Sequence, residues 1–141
     1  MDFMTSFKIC GDALATQRAR MDVVASNLAN ASTTKTPEGG PYRRKVVSMS
    51  SQEVGGSFED ALKDSVRSVK IDGIREDAQG FRKVYDPAHP DADDKGVVTM
   101  SNVQPIVEMA ELIAVNRSFE ATVTAFDAAK NMALKTLEIG K

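Results

Sequence analysis

The chain has 141 residues, 42% of them apolar, with 18 basic and 20 acidic side chains and a net charge of −2. That length supports one ordinary domain. The interspersed signs, with no basic block, argue against nucleic acid and against an anionic membrane surface. No apolar run approaches the roughly 18 residues that a membrane-spanning helix needs.

Residues 3–30 predict a first helix about 40 Å long. Its interior holds Ala13, Leu14, Ala15, Gln17, Arg18, Ala19 and Arg20, all good helix formers. Thr5 or Ser6 is the expected N-cap, and Asn27 and Asn30 bracket the expected end. Residues 1–7 show neither a basic leader region nor an apolar core, so any export is expected to proceed without a cleaved signal peptide. Cys10, the single cysteine, lies in an apolar row and reads as a buried, inert thiol. The run from Ser32 to Pro41 is loop by composition.

The middle leans to β structure. Tyr42–Met49, the alternating stretch around Val69 and Ile71, Phe81–Tyr85 and Val97–Met100 are candidate strands. A short helix is expected over Phe58–Val66, with Ser57 as its cap. Candidate chemistry here is thin. His89 is the only histidine and has no cysteine nearby, so zinc is poorly supported. Asp91–Gly96 resembles the start of a calcium loop, but Lys95 occupies a ligand position and Asn102 stands where a bidentate glutamate belongs. No cofactor or small-molecule substrate is expected, and no cluster of titratable groups suggests an enzyme. Arg43, Arg44 and Lys45, beside Tyr42, form a compact cationic cluster suited to a salt-bridged strand or a subunit contact.

Pro105 suits the first turn of a second helix running to about residue 138, where Gly140 stops it. Apolar positions recur in both helices at alternating spacings of three and four. Phe7, Leu14, Met21 and Leu28 form one row, with Phe3, Cys10, Gln17 and Val24 interleaved. In the second helix, Met109, Asn116, Val123, Lys130 and Leu137 alternate with Leu112, Phe119, Phe126 and Ala133. Such spacing puts one face of each helix against a partner. Asn116 and Lys130 then fall on the seam, where polar residues fix register, unless drift of the period turns them to solvent.

The expected fold class is mainly α with a small β insert. Residues 1–34 and 105–141 form a discontinuous coiled-coil unit, and residues 35–104 form the insert. The expected pairing residues are Phe3, Phe7, Leu14, Met21, Val24 and Leu28 against Met109, Leu112, Phe119, Val123, Phe126 and Leu137. Asn27, Asn30, Tyr42, Arg43, Arg44 and Arg117 are candidates for subunit contacts. The pattern points to a structural or assembly protein, with a cytoplasmic coiled-coil adaptor or export chaperone as the alternative.

Particular stretches carry a resemblance. Ala13–Met21 (ALATQRARM), continuing into Ala25–Ala31 (ASNLANA), resembles the N-terminal signature of bacterial flagellar axial proteins. Asn116–Ala121 (NRSFEA) and Ala125–Met132 (AFDAAKNM) resemble their C-terminal signature. Gly39–Lys45 (GGPYRRK) and Tyr85–Asp93 (YDPAHPDAD) are similar to the proximal rod proteins of the FlgC family. The resemblance implies paired terminal helices near the axis of a hollow helical assembly. It implies a structural subunit of the basal-body rod that transmits torque and lines the export channel. It also implies passage through the flagellar type III export apparatus to the periplasmic rod. The implied partners are further copies, other rod proteins and the adapter to the membrane ring.

Overall fold

The computed structural model describes residues 3–54 and 66–139. Among the described residues two long helices frame four strands, in the order α1 (Phe3–Ala29), β1 (Lys45–Glu53), β2 (Arg67–Glu76), β3 (Arg82–Tyr85), β4 (Val97–Met100) and α2 (Pro105–Ile139). The fold is mainly α with a small antiparallel β insert, as the periodicities predict. The expected short helix over Phe58–Val66 lies outside the described residues except for Val66. There the chain is not helical: the Val66 carbonyl accepts a hydrogen bond from the Val54 N–H and prolongs the β1–β2 ladder.

α1 already contains Thr5 and Ser6, so neither is its N-cap. Asn30 ends it. Both its backbone N–H and its side-chain amide donate to the Ser26 carbonyl, at 3.1 and 2.9 Å, covering an acceptor that the helix leaves open. Asn30 does this without entering the left-handed region, which only glycines occupy among the described residues. α2 is the longer helix, 35 residues and about 52 Å. Pro105 opens it, where a missing N–H costs nothing. Ser118, Thr122, Thr124 and Thr136 return their hydroxyls to carbonyls four residues back, which lets these weak helix formers sit mid-helix.

The strands make two separate two-stranded antiparallel sheets, β1–β2 and β3–β4. In the first, Ser48 pairs with Gly73 but Met49 pairs with Ile71, so Asp72 is an extra residue that bulges the ribbon. The ribbon runs back along α1. Its root sits at Asn27, and further along Ser68 donates to the Asp12 carboxylate at 2.6 Å. α1 is therefore the central element, with α2 against it and the ribbon on another flank. This explains why Thr16 and Val23 are buried although they lie off the predicted seam.

The second sheet carries the loop 86–96, which docks on the loop after α1. Thr34 Oγ1 donates to Asp91 at 2.7 Å, and Lys35 pairs with the same carboxylate. Hydrogen bonds from Lys35 and then Thr34 hold the Asp91 carboxyl below the ordinary carboxylate range. The carboxylate of Asp93 is spent on the backbone N–H groups of Lys95 and Val97, closing the turn instead of facing a cation. Gly96 has φ +74°, and a Cβ there would stand 3.0 Å from both Pro87 and Tyr85. Cys10 is half-buried.

Candidate functional site

The helix pair is antiparallel. Asn27 meets Glu108 near one end, Arg20 meets Glu111 next, and the Phe7 and Phe126 rings lie 5.2 Å apart far down the seam. Leu112, Phe119, Phe126 and Ala133 turn inward at least partly, as their spacing requires. On α1, Phe7, Leu14, Met21 and Leu28 are half-buried and Val24 is buried, whereas Phe3 stays exposed.

The second row of α2 differs from the sequence expectation. Met109 (46% exposed), Val123 and Leu137 (70%) lie on the open side, as do Asn116 and Lys130. The positions one residue earlier, Glu108, Val115, Thr122 and Ala129, occupy the inner row, with Val115 only 1% exposed. Both rows alternate with Leu112 and Phe119 at spacings of three and four, so periodicity alone accepts either. The more apolar row looks like the seam, but small side chains and a neutralised carboxylate are what fit there. Asn116 and Lys130 are therefore solvated, not buried register residues.

Glu108 is 0% exposed, and the wrapping of its charge is the central feature of the site. Arg44 Nε donates to Glu108 Oε1 at 2.6 Å, and Asn27 Nδ2 donates to Oε2 at 3.0 Å. Asn27, 1% exposed, is saturated. Its amide also donates to the Lys45 carbonyl at 2.8 Å, and its oxygen accepts from the Lys45 N–H and the Tyr42 hydroxyl at 2.9 and 3.1 Å. Arg44 reaches Asp77 Oδ2 at 3.3 Å and Glu111 at 3.7 Å, while its backbone N–H donates to Asn102 at 2.7 Å. Arg44, just before β1, thus ties the start of α2 to the residue that follows β2. Burial alone lowers the Arg44 pKa. Hydrogen bonding and charge from Glu108, then Asp77, outweigh it, so the net shift is upward and the cation persists at any physiological pH.

Of the expected contact residues, Asn27, Tyr42 and Arg44 are used inside the chain. Arg43 stacks 4.6 Å over the Phe81 ring and donates to the Asp77 carbonyl. Asn30 is half-buried at the helix end, and Arg117 is exposed. Glu108, Asp77 and Asn102 were not anticipated. The one sequence signal for Glu108 is that the row 108, 115, 122 and 129 also alternates with Leu112 and Phe119 at spacings of three and four. This arrangement organises a scaffold.

Comparison with known proteins gives the architecture its context. Residues 9–35 match the family model for flagella basal body rod proteins, and residues 94–139 match the flagellar basal body rod FlgEFG protein C-terminal model. The first span covers most of α1 and the loop after it, and the second covers β4 and α2. The flagellar basal-body rod protein FlgC of Bacillus subtilis is 46% identical, over 96% of this chain and 97% of that protein. The chain belongs to the FlgC family. The FlgC protein of Escherichia coli O6:H1 is 37% identical across the full length of both chains, and that of Borreliella burgdorferi is 34% identical over 99% and 98%. FlgC proteins are structural subunits of the flagellar basal-body rod, and this chain is one of them.

Proposed function

We propose that the subunit polymerises through its terminal helices into the hollow drive shaft, where it transmits torque and lines the export channel. It reaches the periplasmic rod through the flagellar type III export apparatus, and it performs no catalysis. Its neighbours are further copies, other rod proteins and the adapter to the membrane ring. The observation that carries this reading is the division of apolar side chains on α2. Leu112, Val115, Phe119 and Phe126 serve the pair, while Met109, Val123 and Leu137 stand outside it. A heterologous contact through such an outer face, where its rotation does not close a ring, repeats into an open helical assembly.

Two substitutions separate the inner seam from the outer face. Phe126→Asp should break the pair, and Met109→Asp should leave the chain folded yet unable to join its neighbours. Both should be synthesised normally, be missing from purified basal bodies and abolish swimming. Normal motility with Met109→Asp would remove the outer face from the reading. A folded helical dimer retained in the cytoplasm would favour an adaptor or chaperone.

A further inference from the structure

We propose that Asn27, Arg44 and Glu108 set the register of the α1–α2 pair. The apolar seam cannot do this alone. Its rows, Phe7, Leu14, Met21 and Leu28 on α1 and Leu112, Phe119, Phe126 and Ala133 on α2, each repeat every seven residues. Sliding one helix by one repeat places apolar residues against apolar residues again, so the seam discriminates weakly between registers.

The polar junction discriminates strongly. In the observed register the Asn27 carboxamide makes four hydrogen bonds, and both Glu108 oxygens have partners. A slide in one direction brings Asn27 level with Val115, an apolar side chain, and carries Glu108 away from it. A slide in the other brings Asn27 level with Ser101, ahead of the first turn of α2. In both cases Glu108 parts from Arg44, which is held to α1 through its neighbour Lys45, whose backbone makes two hydrogen bonds with Asn27. A buried carboxylate or carboxamide without its partners is costly, whereas the same cluster replaced by apolar groups is tolerated. The junction therefore penalises wrong registers more than it strengthens the right one. Asn116 and Lys130 are exposed and take no part.

Disulfide trapping in the full chain tests this. With Cys10→Ser as background, Phe7→Cys is combined with Phe126→Cys for the observed register. Phe119→Cys or Ala133→Cys replaces it for registers slipped by seven. Purified protein is oxidised, and the intramolecular bond is read at monomer mobility, so the result does not depend on rod assembly. With the junction intact, only the 7–126 bond should form. With Asn27→Leu, Arg44→Met and Glu108→Leu added, the 7–119 or 7–133 bond should rise by about tenfold or more. Asn27→Leu alone, which keeps the ion pair, should raise it less, and the exposed Asn116→Leu should not raise it. If the triple variant keeps its helical circular dichroism and still traps only 7–126, the proposal falls. If the triple variant loses its helices, trapping of 7–126 alone in Asn27→Leu overturns it equally.

Discussion

Glu108 is a charge that folding has removed from water, and its removal is tolerable only because Arg44 and Asn27 meet both oxygens. Glu108→Ala leaves the Arg44 guanidinium without its main partner and should cost about 3–5 kcal/mol in urea unfolding. Glu120→Ala, on the open side of the same helix, should stay within about 0.5 kcal/mol. Equal midpoints for the two variants would show that the buried pair is not structural. Asp91 gives a pH-dependent counterpart. Its folded pKa is depressed, so its contribution is fully present above the ordinary aspartate range and is lost as pH falls through the lowered value. Amide protection factors in residues 89–93, corrected for the intrinsic exchange rate at each pH, should be flat from pH 8 to about 6 and fall only in acid. Asp91→Asn should show the loosened loop already at neutral pH. If it matches the parent there, the tie to Thr34 and Lys35 does not hold the two loops together.

At the scale of elements, what could be read from sequence depended on how strongly each pattern excluded its alternatives. The extents of α1, β4 and α2 were legible because Pro105, the Asn27–Asn30 segment and the Val97–Val98 pair each mark a boundary locally. The inward row of Leu112, Phe119 and Phe126 was legible for the same reason. The companion row was not, because alternating spacings of three and four fit residues 108, 115, 122 and 129 as well as 109, 116, 123 and 130. Only tertiary partners more than 60 residues away in sequence decide between them: Arg44 makes Glu108 acceptable inside. Asn27 misled in a related way. Its type and place suggested capping, yet its amide is committed to the ribbon root and to α2. The burial of Thr16 and Val23 also went unforeseen, because a heptad reading assigns a helix one covered side and α1 has two.

For the whole molecule, the polar junction and the small cluster of Ala31, Tyr42 and Val103 concentrate fully buried groups at one end. The far end of α2 carries exposed Met132, Leu134, Leu137 and Ile139. Protection against amide exchange in the purified chain should follow that gradient. It should be greatest around residues 23–31, 42–45 and 101–115, and least beyond residue 130. Uniform protection along both helices would mean that the seam is self-sufficient over its full length, and that the junction adds no local stability.

The two helices also differ in length. The contacts at Asn27, Arg20 and Phe7 set Phe3 level with about residue 130, so α2 continues for roughly nine more residues, about 14 Å, past the described start of α1. Among the described residues, one end is broad and cross-linked by charge, and at the other α2 runs on beyond α1. No rotation exchanges two such ends. A column built from this shape has an arrow along it, and anything added at its tip meets a different surface from anything found at its base.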